Sequence, residues 1–186
     1  MAEVSDDDLI RIYREGDADA FDALFDRHYR TAYSFARAML GSAEAAEEVM
    51  QEAFLAVART ARDYVPRGRF RPWLMRIVRN MCLNRIAMEA RRGRALPAES
   101  LDPTDVRSPE PAPPDRLEAD ERADALQRLV GALPERQREA IALYAFEQMS
   151  YREIAEVMEV PINTVKTLIH RARAVLARGM EQYEGE

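Results

Sequence analysis

The chain has 186 residues and a formal net charge of −6 at pH 7, with 47% hydrophobic and 32% charged residues. This length suits one ordinary domain or two small ones. The excess of acidic residues argues against a protein that coats nucleic acid without sequence preference, because such binding needs a basic surface. Cys82 is the only cysteine, so an intrachain disulfide is excluded, and we expect its thiol to be a small, buried apolar group. No cluster of Cys and His residues has the spacing of a zinc site.

The composition predicts an all-α protein, because alanine, leucine, arginine and glutamate are abundant, glycines number only 7, and regular turn signals for strands are absent. We expect two small helical domains: a four-helix N-terminal domain over residues 1–92 and a four-helix C-terminal domain with a helix-turn-helix over residues 119–186. A Pro-rich flexible linker over residues 93–118 joins them. No apolar run approaches a membrane span and the acidic N-terminus is unlike a secretory signal, which predicts a cytoplasmic protein without membrane insertion.

Four helices are predicted in the N-terminal domain. The first follows a pair of aspartates, and the second is a long amphipathic run between Gly16 and Gly41. The third begins after Ser42, a residue type that caps helix N-termini, and extends to about residue 61. The fourth begins near Pro72, since proline suits the first turn of a helix, and carries an apolar stripe.

The third predicted helix has an acidic face. Its acids recur at three- and four-residue steps, so they share one side of the helix with an amide and a leucine. A solvated face is the commoner origin of such a pattern. A docking surface for a basic partner is the alternative, in which charge-assisted contacts fix the register. The candidate docking residues are Glu47, Glu48, Gln51, Glu52 and Leu55.

Residues 64–92 combine a basic loop with a basic helix that also bears aromatic rings and amides. Residues 67–94 contain nine arginines and a single acid. Such a mixture suits single-stranded nucleic acid, where bases stack on rings and cations follow the backbone, and the loop could hold an unstacked base. Core packing is the expected role of Phe70 and Trp73, so the polar face carries the functional prediction. Its candidates are Arg67, Arg69, Arg76, Arg79, Asn80 and Asn84.

The linker contains six of the chain's 10 prolines. Proline density favours extended chain, and at roughly 3.1 Å per residue some 25 residues reach about 75 Å. That distance is about two turns of duplex DNA. A simple tether between the two domains is the alternative interpretation of the same composition.

Residues 150–178 predict a helix-turn-helix, after a helix corner at Leu133-Pro134. Ser150 and Glu153 form a capping-box pattern, and Pro161 ends the first helix and suits the start of the second. The second helix has a buried stripe, several cations and no acid, so it can enter a major groove. An ordinary helical hairpin with a solvated basic face is the alternative. The candidate reading residues are Thr164, Lys166, Thr167, His170, Arg171 and Arg173.

Three other functions are compatible with a helix-turn-helix. A stand-alone regulator would use its first domain to sense a ligand or to dimerise, and it would footprint a palindrome unaided. An enzyme with an appended DNA-binding domain is disfavoured, because the chain has 2 histidines, no glycine loop for a nucleotide and no metal-ligand spacing among its carboxylates. An interaction adaptor would work through the acidic helix. We predict no catalytic residue, no metal and no cofactor.

Five segments together resemble the extracytoplasmic-function (ECF) group of bacterial sigma factors, within the sigma-70 family. They stand in that family's order, with a variable linker between them, which makes the match specific. Two positions depart: Glu48 replaces the commoner aspartate, and Glu159 stands in the turn where the family most often has glycine, a residue that tolerates positive φ. The segments are DADAF at 17–21, AEEVMQEAFL at 46–55, FRPWLMRIVRN at 70–80, the Leu133-Pro134 corner and the helix-turn-helix at 150–178.

The resemblance implies a sigma factor that binds core RNA polymerase and directs promoter-specific initiation. In the family the acidic helix docks on the clamp helices of the polymerase's largest subunit. The basic loop and fourth helix recognise and melt the minus-10 element, and the recognition helix reads the minus-35 duplex. Members are commonly held inactive by an anti-sigma factor. The expected partners are therefore core RNA polymerase, promoter DNA and an anti-sigma factor, with no small-molecule substrate.

Overall fold

The computed structural model describes residues 4–95 and 125–184, and within these ranges every regular element is a helix, as predicted. Residues 4–95 are called the N-terminal block and residues 125–184 the C-terminal block. The predicted linker lies outside the described residues except for its first three positions. The N-terminal helices are α1 (Asp6–Arg14), α2 (Asp19–Leu40), α3 (Ala43–Thr60), a 3-10 turn (Ala61–Asp63) and α4 (Phe70–Ala95). The C-terminal helices are α5 (described over 125–132), α6 (Glu135–Ala145), α7 (Tyr151–Met158) and α8 (Ile162–Glu184).

Serine caps fix the starts of three helices. The Asp8 backbone N–H donates to Ser5 Oγ at 3.2 Å and the Ala45 N–H to Ser42 Oγ at 3.2 Å, which satisfies donors that have no partner within the helix. Ser150 and Glu153 form the predicted reciprocal capping box at α7. These local signals place the helix starts within a residue or two of the sequence prediction.

The core of the N-terminal block lies around α2. Leu24 and Phe35 of α2, Met50 of α3 and Leu74 of α4 are fully buried, and α2 contacts α1, α3 and α4. Gly41 ends α2 in the left-handed conformation, at φ 74°, and its N–H donates to the Arg37 carbonyl oxygen at 3.0 Å. The central helix therefore orients both the acidic helix α3 and the basic helix α4.

Helix α4 extends beyond the predicted domain boundary. The sequence placed the linker at Gly93, but α4 continues to Ala95. Glycine disfavours a helix interior by about 1 kcal/mol relative to alanine and does not forbid one. Arg91 and Arg92, near this C-terminal end, also favour it through the helix dipole. The basic helix is thus three residues longer than proline and glycine punctuation suggested.

The C-terminal block packs its own core and also docks on the N-terminal block. Leu143, Met149 and Ile154 are fully buried, while α6 lies against α2 and α7 lies against α4. Arg138 of α6 donates from Nη1 to the Met39 carbonyl oxygen at 3.1 Å, near the C-terminal end of α2 where a cation is favourable. The sequence had left the relative orientation of the two blocks open.

Two simpler expectations can be compared with the structure. Cys82 is fully buried, and this burial raises the pKa of its thiol to about 12, which confirms its role as a small apolar side chain. In the two described ranges, no helix combines the length and the apolar character that crossing a bilayer requires.

Candidate nucleic-acid interface

Helix α8 presents the predicted reading residues to solvent. Val165, Ile169 and Ala172 are buried at helical spacing and hold the helix on the C-terminal block. No acid interrupts α8 before Glu181, so its outer face carries donors and positive charge. The exposed residues are Thr164, Lys166, Thr167, His170, Arg171 and Arg173. The sequence therefore predicted both faces of this helix correctly.

Arg173 differs from the other cations of α8 because it rests on an aromatic ring. Its guanidinium carbon lies 4.6 Å from the centroid of the Tyr144 ring, in cation–π geometry. The ring of Tyr144 in turn contacts that of Tyr151, with centroids 5.6 Å apart. This contact orients the Arg173 guanidinium on the C-terminal block.

The turn of the helix-turn-helix forms without glycine. Glu159 ends α7 at φ 56° and ψ 46°, in the left-handed region that glycine usually occupies. Its N–H donates to the Ala155 carbonyl oxygen, and the Val160 N–H donates to the same oxygen at 3.0 Å. Two hydrogen bonds on one carbonyl thus hold the residue in a conformation that its side chain disfavours.

The basic loop and α4 form a second surface with a cavity beside aromatic rings. The cavity has a volume of about 250 Å³. The ring centroids of Tyr64 and Trp73 lie 4.8 Å apart, and those of Phe70 and Trp73 lie 5.7 Å apart. Phe70 is buried, as predicted, whereas Trp73 is half-buried and lines the cavity. The cavity is lined by Asp63, Tyr64, Val65, Arg69, Pro72, Trp73, Arg76 and Glu156.

Most of the predicted minus-10 candidates are exposed, but one is not. Arg67, Arg69, Arg76, Asn80 and Asn84 reach the surface. The sequence placed Arg79 on the same polar face, and the structure contradicts this, because its side chain is only 10% exposed and pairs with Glu139 of α6. Because residues three apart on a helix share a side, the sequence pattern could not distinguish Arg79 from Arg76, and it is the contact with Glu139 that buries Arg79.

The Arg79–Glu139 ion pair joins the two blocks in the interior. The Glu139 side chain is 1% exposed. Its burial raises the pKa of the carboxyl group, while the hydrogen bond and the charge of Arg79 oppose that rise. Glu139 Oε2 has no hydrogen-bond partner within the described part of the chain. Sequence reasoning missed this pair because its members are 60 residues apart.

Acidic side chains of α7 also meet the arginines of the second surface. Glu156 forms an ion pair with Arg69, and its carbonyl oxygen accepts a hydrogen bond from Arg76 Nη2 at 2.9 Å. Glu153 Oε1 accepts from Arg71 Nη2 at 2.9 Å, and Arg71 Nη1 donates to the Glu147 carbonyl oxygen at 3.1 Å. Arg71, Glu153 and Glu156 were not among the predicted site residues.

Glu153 is both a helix cap and a partner of Arg71. Burial alone would raise the pKa of its carboxyl group, but the hydrogen bonds from Ser150 and the contact with Arg71 together lower it. The capping-box signal in the sequence identified the first role and gave no sign of the second. One carboxylate thus stabilises α7 and attaches it to α4.

The acidic face of α3 is open to solvent. Glu47, Glu48, Gln51, Glu52 and Leu55 are all exposed, and 55% of the Leu55 surface is accessible. Glu48 pairs with Arg85 of α4, whose pKa is raised mainly by that hydrogen bond. A groove of about 400 Å³ separates α3 from α4 beside this pair. Leu55 is thus a large, exposed apolar side chain on the helix face that carries these acids.

The described residues contain no group of three or more His, Cys, Asp or Glu side chains placed to hold a metal ion. The two basic surfaces offer hydrogen-bond donors, and the second also offers the ring faces beside its cavity. Both surfaces suit an extended polyanion with bases, and α3 suits a partner with basic and apolar side chains.

Two family models match this chain. Sigma-70 region 2 matches residues 24–92 and Sigma-70, region 4 matches residues 123–176. ECF RNA polymerase sigma factor SigM of Mycobacterium tuberculosis is 36% identical over 176 residues, which cover 95% of this chain and 85% of SigM. ECF RNA polymerase sigma factor SigW of Bacillus subtilis is 29% identical over 175 residues, which cover 91% of this chain and 93% of SigW.

A solved structure agrees with these matches. CnrH, in complex with the cytosolic domain of CnrY, superposes with a TM-score of 0.70 at 26% sequence identity. The superposition covers 96% of this chain and 99% of CnrH. It therefore includes both blocks together.

Proposed function

Because this chain belongs to the ECF RNA polymerase sigma factors, we propose that its two basic surfaces read the two promoter elements and that its acidic helix recruits the polymerase. The domains divide this work: residues 1–92 bind core polymerase and handle the minus-10 element, and residues 119–186 read the minus-35 element. The exposed, acid-free face of α8 is the observation that best supports the proposal, because it offers donors along one side of a helix that the block holds rigidly.

At the minus-35 duplex, α8 enters the major groove. Lys166 and Arg171 carry donors suited to guanine edges and phosphates, and Thr167 can contact either. Arg173, stacked on Tyr144, is held in one position and so loses less side-chain freedom on binding. Thr164 lies in the first turn of α8, where the positive end of the helix dipole also favours phosphate.

At the minus-10 element, the cavity beside Tyr64 and Trp73 takes an unstacked base while the nearby arginines follow the backbone. Arg69 and Arg76 line that cavity. Asn80 and Asn84 continue along the same side of α4 at four-residue steps, so they can contact successive nucleotides. Arg67, on the exposed loop before α4, adds positive charge at the entrance.

The acidic face of α3 docks on the clamp helices of the polymerase's largest subunit. Its acids meet basic side chains, and the uncovered Leu55 supplies the apolar centre that a docking surface needs. Once core polymerase holds the chain, the second DNA contact becomes intramolecular and gains a high effective concentration. The −6 charge of the chain then limits binding to DNA away from the polymerase.

The same proposal defines what else the chain meets and where it acts. An anti-sigma factor controls it, as the family resemblance implies, and the similar protein CnrH forms a complex with the cytosolic domain of CnrY. Sigma factors are initiation factors, and we expect no catalysis by the isolated chain. It acts in the cytoplasm with core polymerase and promoter DNA and needs no cofactor.

Run-off transcription from a genomic library with core polymerase, with and without the protein, tests this function. Promoter-specific initiation that needs no other factor is expected, and the transcripts identify the elements. Replacing Lys166 or Arg171 with alanine should reduce initiation about 5- to 150-fold at guanine-containing minus-35 sites. Arg178→Ala is the matched control, because it removes an exposed cation of the same helix outside the reading set. Equal transcription by all these variants would contradict the minus-35 assignment, and a palindromic footprint without polymerase would indicate a stand-alone regulator.

A further inference from the structure

The basic loop that leads into α4 is held near both of its ends by α1. At its start, Arg14 of α1 donates from Nη2 to the Tyr64 carbonyl oxygen. Toward its end, the Gly68 N–H donates to Asp7 Oδ2 at 2.6 Å. The Tyr64 hydroxyl donates to the other oxygen of the same carboxylate, Asp7 Oδ1, also at 2.6 Å. Two side chains of one helix thus bind backbone and side-chain groups of the loop.

Helix α1 presents these two side chains on one face. Asp7 and Arg14 are seven residues apart, so they point to the same side of the helix and lie roughly 10 Å apart along its axis. Ile10 lies between them on that side and is fully buried, which anchors α1 in the core of the N-terminal block. Arg14 also donates from Nε to the Ala61 carbonyl oxygen at 2.6 Å, just before the loop. The loop is therefore attached to an element that the core holds in place.

We propose that Asp7 and Arg14 are positioning residues for the minus-10 element, because they hold the basic loop in the conformation that forms the cavity beside Tyr64 and Trp73. The proposal rests on the minus-10 role proposed above. Neither Asp7 nor Arg14 lines the cavity, so each acts through the loop and not by touching a base. Preference for the base held in the cavity then depends on α1.

Asp7 also fixes the side chain of Tyr64, which forms part of the cavity wall. Burial and the neighbouring Asp7 carboxylate raise the pKa of the Tyr64 hydroxyl, so the hydroxyl stays protonated and donates to that carboxylate. The ring centroid of Tyr64 lies 4.8 Å from that of Trp73 and 5.8 Å from that of Phe70. The hydroxyl and the ring of Tyr64 are therefore both held.

Gly68 shows why the loop needs an anchor outside itself. Its φ is 66°, in the left-handed region that glycine adopts at no steric cost. Glycine has many other conformations available to it, so the hydrogen bond to Asp7 selects this one. Arg67 and Arg69 are the neighbours of Gly68 in the chain, and fixing the glycine therefore fixes the directions in which their side chains leave the backbone.

The charge of Asp7 gives positioning and simple electrostatics opposite signatures. An acid beside a surface for nucleic acid repels phosphate, so on charge alone its removal should tighten binding equally for every base. If Asp7 positions the loop, its removal should instead lower the preference for one base at one position of the minus-10 element.

Fluorescence anisotropy of the holoenzyme, formed from core polymerase and this chain, on fork-junction DNA tests the proposal. The DNA carries a promoter recovered in the run-off assay, with its single-stranded minus-10 bases replaced one at a time. The ratio of the Kd values for two bases gives the preference at each position, and a loss of folded protein leaves such a ratio unchanged. Asp7→Ala should lower the preference at one position about tenfold, and Arg14→Met should lower it at the same position.

Asp7→Asn is the matched variant, because it removes the same charge and keeps the hydrogen bonds. Its amide can accept from the Gly68 N–H and donate to the Tyr64 hydroxyl oxygen, so it should retain most of the wild-type preference. Asp26→Ala removes an exposed acid of α2 and should change no preference.

The remaining outcomes separate the positioning role from the minus-10 assignment. If Asp7→Asn behaves like Asp7→Ala, or if Asp7→Ala changes the affinity for all bases equally, positioning by hydrogen bonds is refuted. If Asp7→Ala keeps every preference while Arg69→Ala/Arg76→Ala weakens binding to the fork-junction DNA, positioning is wrong and the minus-10 assignment stands. If the arginine variant binds like the wild type, the minus-10 assignment itself is wrong and the positioning role falls with it.

Discussion

Replacing Arg79 with methionine removes the cation that faces Glu139 and keeps an unbranched side chain of similar length. The side chains of Arg79 and Glu139 are 10% and 1% exposed, so the remaining carboxylate would stay out of water. Removing one partner of a buried ion pair costs about 3–5 kcal/mol. Because the pair joins α4 to α6, this loss falls on the docking of the C-terminal block.

Urea unfolding and small-angle scattering measure the effect together. We expect Arg79→Met either to lower the unfolding midpoint or to increase the radius of gyration, since undocking returns Glu139 to water and limits the loss. The double variant Arg79→Met/Glu139→Met should recover most of the wild-type behaviour, because apolar residues of similar volume often replace a buried pair at no net loss. Arg91→Met is the matched control, because Arg91 is an exposed arginine in the last turns of the same helix.

Two results would refute the reasoning. If Arg79→Met changes neither the midpoint nor the radius of gyration, Glu139 is not buried against α4 in solution. If the double variant is as damaged as the single one, the loss comes from packing of the longer side chain and not from an uncompensated charge.

Three further predictions concern the caps, a buried acid and the acidic face. Ser150→Ala should destabilise the C-terminal block by about 1 kcal/mol in urea unfolding, through loss of the capping box, whereas Ser34→Ala, in the middle of α2, should change stability by less than about 0.5 kcal/mol. Burial raises the pKa of Glu147 in the folded protein. The protonated carboxyl group therefore stabilises the fold below the ordinary pKa of 4.5, and this stabilisation is lost as the pH rises through the raised pKa of the folded state. Glu147→Gln should accordingly raise the melting temperature at pH 7 and have little effect below pH 4.5. Leu55→Ala should weaken core-polymerase binding in a pull-down without lowering the melting temperature, because the side chain is exposed; unchanged binding would argue against the α3 docking surface.

The sequence was most informative where its signals are local. Ser42 and Ser150 marked helix starts because a cap depends on residues three positions away. The two faces of α8 followed from apolar spacing, since Val165 and Ile169 define the buried stripe and every intervening cation then falls outside it. Composition and spacing were sufficient for such features.

The sequence was least informative where two distant segments meet. Arg76 and Arg79 look alike in a basic helix, and only the position of Glu139, 60 residues away from Arg79, makes one exposed and the other buried. Glu153 and Glu156 look like ordinary solvated acids of α7 until α4 lies beside them. Long-range docking between blocks leaves no periodic trace in either segment.

The carboxylates on α7 also affect how binding responds to salt. A protein that meets Z phosphates with free cations releases the DNA's counterions, and the logarithm of its affinity falls with a slope of about −0.7Z for a single strand. Arg69 and Arg71 are already neutralised by Glu156 and Glu153. When DNA displaces these acids, they attract cations from solution and partly cancel that release. The free chain should therefore bind single strands with a flatter salt dependence than its arginine contacts alone would give.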